Sequence, residues 1–134
     1  MTTITGGCLC GAVRYELNAP MLFGGFCHCI DCRKTSSSHS ASMAVPEAAL
    51  VVSGETRAYS SPGGSGNPVT RVFCPVCGAG IVSKGARPGV VMLKAGTLDD
   101  PEHFKPAAAI YTSQAPSWDA PRPDLPAFPK MPPA

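Results

Sequence analysis

Three groups of cysteines carry the chemistry open to this sequence: Cys8-Leu9-Cys10, then Cys27-His28-Cys29-Ile30-Asp31-Cys32, then Cys74-Pro75-Val76-Cys77-Gly78. The last has the spacing of a zinc knuckle. Two intervening residues let both sulfurs converge on one ion, and the following glycine permits the tight turn that aims backbone N–H groups at them. A knuckle supplies two ligands, whereas a structural zinc is closed by four. The second pair is either Cys8 with Cys10 or two of Cys27, Cys29 and Cys32. The first choice uses all seven cysteines, as a group of four and a group of three, and is preferred for that reason. A closed site of Cys8, Cys10, Cys74 and Cys77 would join the N-terminal segment to the distant knuckle. Three protein ligands with an open fourth position is the usual arrangement of a working zinc. Cys27, Cys29 and Cys32 are therefore the candidate catalytic residues and the ligands of a second, catalytic zinc.

Three thiolates and Zn²⁺ carry a net charge of −1, which suits a soft sulfur substrate better than hard hydrolysis. A thiol brought there would lose its proton at neutral pH and become a nucleophile. Arg33 and Lys34, directly after the third cysteine, are candidates for balancing the thiolate charge or meeting a substrate carboxylate. Asp31 and His28 are candidates for moving the proton. His28 is either a fourth ligand, which would close the site and leave it inert, or, preferred because it sits between two ligand positions, turned away from the ion as a support behind the ligands. His39 and His103 read as surface or packing residues.

The rest of the composition narrows what can position these groups. The chain has 134 residues, 44% hydrophobic and 15% charged, which suits one domain with a real core and excludes global disorder. Its 14 glycines and 15 prolines argue against a helical bundle. No apolar run reaches the roughly 18 residues of a membrane span. The first six residues have neither the basic stretch nor the apolar run of a secretory signal, which predicts a cytoplasmic, reducing location. An odd count of seven cysteines then reads as metal ligands rather than a disulfide framework. A net charge of +2, with Arg14, Arg57, Arg71, Lys84 and Lys94 scattered rather than clustered, argues against nucleic acid as a partner.

Short β-like runs recur between turn signals. In Ala12–Leu17, Val13, Tyr15 and Leu17 alternate with Arg14 and Glu16, the pattern of a half-buried strand. Further strand candidates are 40–45, 49–53, 56–59, 69–73, 80–84 and 90–95, separated by Pro46, Gly54, the Gly/Pro-rich stretch 62–68 and Gly85–Gly89. The reading is an all-β antiparallel domain, sandwich or open barrel, with one helical turn after Cys32 and a mobile loop at 62–68. Seven prolines fall in the last nineteen residues, which predicts an extended Pro-rich tail over 120–134. It is either loose or laid on the domain through Leu125 and Phe128.

The motifs resemble those of the glutathione-dependent formaldehyde-activating enzymes, a family that shares its domain with centromere protein V. The matching stretches are Gly6–Glu16, Cys27–Lys34, Arg71–Gly78 and Ala95–Pro101, in the family's order, with Trp118 near the end of a domain spanning 4–119. The resemblance implies an Mss4-like antiparallel β fold with zinc sites and little helix. It implies that Cys8, Cys10, Cys74 and Cys77 hold the structural zinc and that Cys27, Cys29 and Cys32 hold the catalytic one. It also implies a carbon–sulfur lyase activity that makes or cleaves S-hydroxymethylglutathione from glutathione and formaldehyde, with a small glutathione-like thiol and an aldehyde as partners. Two positions depart from the family pattern: Ser37-Ser38 stands where a glycine commonly follows the triplet, and Ala109 where a histidine often precedes the isoleucine. The alternative from another class is a zinc-stabilised β domain that binds protein or nucleic acid without catalysis. Redox sensing or metal buffering by the triplet is a third.

Overall fold

In Arg14–Leu17 the small sequence pattern becomes a strand whose alternate side chains, Tyr15 and Leu17, are buried while Arg14 and Glu16 face solvent. This strand, β2, pairs antiparallel with β1 (Ile4–Gly7) on one side and with β5 (Leu50–Ser53) on the other. The computed structural model describes residues 2–64 and 66–132, and the chain forms two compact units. The first combines the residues up to Leu22 with Met43–Phe104.

Besides the three-stranded sheet, the first unit holds strands in the order β4-β9-β8-β7-β6. These are β4 (Ser40–Pro46), whose first residues belong to the second unit, β6 (Arg57–Pro62), β7 (Pro68–Phe73), β8 (Gly80–Arg87) and β9 (Val90–Lys94). Its core is apolar and fully enclosed at Val13, Leu17, Met43, Val45, Ile81 and Leu93. Burying each such side chain is worth roughly 1.5–3 kcal/mol. The hairpin at 62–68 closes with the Gly63 N–H donating to the Asn67 carbonyl at 2.8 Å; Ser65, in the same stretch, lies outside the described residues. The β7/β8 register slips between Val72 and Phe73. Such a bulge bends the strand, and here it falls immediately before Cys74.

The Gly-Thr-Leu-Asp stretch has a structural use in this unit. Tyr15 is buried, and its hydroxyl meets that of Thr97 at 2.8 Å. Asp99 receives a two-pronged ion pair from Arg14 and the Thr5 hydroxyl at 2.7 Å. The Arg14 guanidinium, then the Thr5 hydroxyl, lower the Asp99 carboxyl to about 2. A carboxyl depressed in the folded state stabilises it above its unfolded value near 3.9, and that stabilisation disappears as pH falls through the folded value. Asp99→Asn is accordingly expected to unfold at lower urea than the wild type at neutral pH. The gap between the two should be intact down to pH 4 and close towards pH 2. An unchanging gap over that window would show that the charge is not what matters.

The second unit combines Phe23–Ser42 with the residues from Lys105 onward. Its strands run β10-β3-β4, with β3 (Phe23–Cys27) and β10 (Ala108–Ile110) parallel, in register Ala108 with Gly25 and Ile110 with Cys27. By contrast, the pairs β1–β2, β2–β5, β6–β7, β7–β8 and β8–β9 are antiparallel. The Pro-rich tail lies along β10. Ala109 donates to the Pro126 carbonyl and accepts from the Phe128 N–H, each at 2.9 Å, and the Tyr111 and Thr112 amides donate to Lys130 and Phe128 carbonyls. Prolines donate no hydrogen bond, but their carbonyls accept, so the tail satisfies an edge without being a regular strand.

The only α-helix among the described residues, α1 (Ile30–Ser36), begins two residues before Cys32 rather than after it. Cys29 caps it, its Sγ accepting from the Cys32 N–H at 3.3 Å, and the Ile30 N–H donates to the Gln114 side-chain oxygen at 2.8 Å. Both satisfy amides that a helix start leaves without intrahelical partners. The helix ends on Ser37 in the left-handed region, φ 74°. Serine adopts that conformation at a cost of about 1–2 kcal/mol.

Candidate metal centres

In the first unit, the ligand atoms of Cys8, Cys10, Cys74 and Cys77 all lie within 4.8 Å of one another. Two turns of like construction bring them there. In one, the Cys8 N–H donates to the Val13 carbonyl at 3.0 Å and Gly11 takes a φ of 83°. In the other, Cys74 bonds the Ala79 carbonyl at 3.0 Å, the Gly78 N–H donates to the Cys74 carbonyl at 2.9 Å, and Gly78 has a φ of 79°. Only glycine takes that conformation without strain. Each turn aims amides at sulfur: the Val13 N–H at Cys8 Sγ, 3.2 Å, and the Val76 N–H at Cys74 Sγ, 3.4 Å.

The sulfur spacing fits zinc. Four ligands about 2.3 Å from a tetrahedral ion sit about 3.8 Å apart; Cys8 and Cys10 are separated by 3.6 Å, Cys10 and Cys74 by 3.7 Å. Four thiols this close cannot all ionise unaided, and the group divides accordingly. The Ala79 and Cys10 amides lower Cys77 to about 6. Cys10, despite the pull of the Ala12 amide, is raised to about 11 by burial and its three thiol neighbours. Cys8 is lowered, chiefly by the Val13 amide. A divalent cation would resolve the conflict by stabilising all four thiolates together. The knuckle tips Leu9 and Val76 are exposed, whereas Cys74 is fully enclosed.

In the second unit, Cys27 ends β3, Cys29 caps α1 and Cys32 lies in its first turn. Their sulfurs also fall within 4.8 Å of one another, all three half-buried. The Cys29 and Cys32 thiols, followed by burial, raise Cys27 above the ordinary thiol range. Cys29 is pulled down by Cys27 but raised overall by Cys32 and burial. The group is three cysteines, and His28 is not part of it. The donor set suits zinc as well as the first, with one ligand fewer.

The flanking candidates separate. His28 is turned into the protein interior beside Asp119 and His39, where burial lowers its pKa against the pull of the Asp119 charge. Arg33 reaches the Gln114 carbonyl at 3.4 Å, while Lys34 and Asp31 are exposed. Two residues with structural consequences here had no signal in the spacing. Gln114 fixes the start of α1, and Asp119 meets His39 at 2.9 Å. His39, expected at the surface or in packing, is half-buried and hydrogen bonded. His103 stands 3.8 Å from Asp100.

A mostly β protein with two cysteine groups of zinc-binding composition, one of four and one of three, is thus the class defined by fold and site. The profile of the glutathione-dependent formaldehyde-activating enzymes matches residues 3–114, and the chain belongs to that family. The fold is shared with a Rhodobacter sphaeroides protein of known crystal structure, at 22% identity and a TM-score of 0.56 over 71% of this chain and 87% of that one. No curated protein matches the sequence significantly. No helix among the described residues is long and apolar enough to cross a membrane.

Proposed function

We propose that this chain is a zinc-dependent carbon–sulfur lyase and synthase, acting on a small thiol–aldehyde adduct of the S-hydroxymethylglutathione type. The observation that carries the reading is the group of three: Cys27, Cys29 and Cys32 converge half-exposed on one point, whereas the group of four is complete and includes the fully enclosed Cys74. The first keeps a coordination position for a substrate and the second does not. We assign a structural zinc to Cys8, Cys10, Cys74 and Cys77, and a catalytic zinc to the triplet. Zinc in the triplet supplies an acidified thiol at neutral pH.

The protein's own groups supply the rest. The Cys32 amide holds Cys29 Sγ, and Gln114 fixes the start of α1, so two of the three sulfurs are set by one helix. Exposed Lys34 is a candidate contact for a substrate carboxylate. In the forward direction the thiol sulfur bonds to the aldehyde carbon and its proton passes to the carbonyl oxygen; the reverse breaks that bond and returns the proton. The free thiols suit a reducing cytoplasm, and residues 4–119 correspond to the family domain, with 120–134 an appended tail. Glutathione with formaldehyde is the first pair to test. Exchange spectroscopy should show adduct formation accelerated by the zinc-loaded protein, and no acceleration with glutathione or any other small thiol would sink the reading.

A further inference from the structure

Outside both cysteine groups, the second unit holds a third cluster of ligand atoms. His28 follows β3, His39 precedes β4 and Asp119 lies in the short 3-10 turn Ser117–Asp119. One ligand atom from each falls within 4.8 Å of the others. Asp119 stands between the two rings: Oδ1 is 2.9 Å from His39 Nδ1 and Oδ2 is 3.4 Å from His28 Nδ1. The first is a hydrogen bond. The second is not, and both His28 Nδ1 and Asp119 Oδ2 are enclosed without a hydrogen-bond partner among the described residues. The His28 side chain is only 2% exposed. A buried nitrogen and a buried carboxylate oxygen without partners are costly to the fold, and such groups call for a water or an ion.

The geometry points to a divalent metal site formed by His28, His39 and Asp119, distinct from both thiolate groups. Ligands about 2.0–2.1 Å from a tetrahedral ion are separated by roughly 3.3 Å; Asp119 stands 2.9 Å from His39 through Oδ1 and 3.4 Å from His28 through Oδ2, so an ion between them replaces the Oδ1–His39 hydrogen bond and takes one or both carboxylate oxygens. Two imidazoles on one such ion have ring centres about 5 Å apart by the same geometry, and these are 5.0 Å apart. Two imidazole nitrogens and one carboxylate favour zinc and its first-row neighbours over calcium or magnesium, which prefer all-oxygen shells. His39 is 34% exposed, which opens one side to solvent, as a three-ligand site requires. Phe26 packs edge-on against the His39 ring, with centroids 5.1 Å apart, holding it in place. A filled site would tie the segments beside β3 and β4 to the C-terminal turn and fix His28 between two cysteines of the triplet.

The proposal does not rest on the lyase reading, and zinc counting with cobalt spectroscopy tests it on the reduced full chain. Equilibrium dialysis against Zn²⁺ should saturate at three equivalents in the wild type and two in His39→Gln. With Co²⁺, His39→Gln should retain the full thiolate-to-metal charge-transfer intensity, since no cysteine is altered, and lose only visible bands of a nitrogen–oxygen site. Cys29→Ser should do the reverse, losing charge-transfer intensity while keeping those bands, which separates failure at the triplet from failure here. Saturation of the wild type without a metal of nitrogen–oxygen character would overturn the proposal whatever the variants do. So would an unchanged zinc count and spectrum in folded His39→Gln and Asp119→Asn.

Discussion

Cys74→Ser is expected to unfold the first unit rather than merely empty a site. Cys74 is fully enclosed, its backbone closes the knuckle through Ala79 and Gly78, and its sulfur stands 3.7 Å from Cys10, sixty-four positions earlier in the chain. Zinc bound by such a group contributes an apparent 10–16 kcal/mol at neutral pH, as much as the whole stability of an ordinary domain, about 5–15 kcal/mol. Loss of one ligand should therefore remove the cooperative urea transition read by far-ultraviolet circular dichroism. Stripping the wild type with a strong chelator should produce the same loss, reversed on adding zinc. If Cys74→Ser melts within a few degrees of the wild type, the group of four does not hold the fold.

Cys29→Ser should separate folding from chemistry. Cys29 caps α1 with its side chain, and serine is itself a favoured cap, so the helix start survives while the metal loses a thiolate. Disturbing groups that merely support a metal ligand costs 10–100-fold; replacing a ligand should cost at least about 100-fold in turnover of the thiol–aldehyde adduct. Thermal unfolding should move by only a few degrees, and bound zinc should fall by one equivalent. Full turnover in the variant would mean that the triplet is not the reaction centre.

How far the sequence foretold these sites differs by element. β2, β4, β5 and β6–β9 all overlap runs whose β-branched and aromatic residues were legible between turn signals, with ends shifted by a few residues. The missed strands are those whose composition conceals them. β3 is Phe-Gly-Gly-Phe-Cys, and its glycines depress strand propensity; yet a Cβ at Gly25 would stand 2.7 Å from the Ala108 carbonyl, so the close parallel pairing demands glycine. β10 is Ala-Ala-Ile, three residues long, and exists through its neighbours rather than by propensity. β1, Ile-Thr-Gly-Gly, is concealed in the same way.

The cysteine groups were legible because a metal constrains spacing within each motif, and the count of seven then limits how motifs combine. The cluster of His28, His39 and Asp119 was not. Its members are separated by eleven and eighty positions, so only the fold brings them together, and no local pattern marks them.

The two units are nested in the chain: the second begins at Phe23, is interrupted by Met43–Phe104, and resumes at Lys105. On the ribosome this sets an order. All four cysteines of the first group, and every strand of its unit, have been synthesised before Ala108 is added, when the second unit still lacks more than half its residues. The triplet waits longer, because the parallel partner of β3, the glutamine that fixes α1 and the carboxylate beside His28 all arrive last. A chain ending near residue 104 would thus possess every residue of the first unit and all three cysteines of the triplet, but not the parallel partner of β3, Gln114 or Asp119.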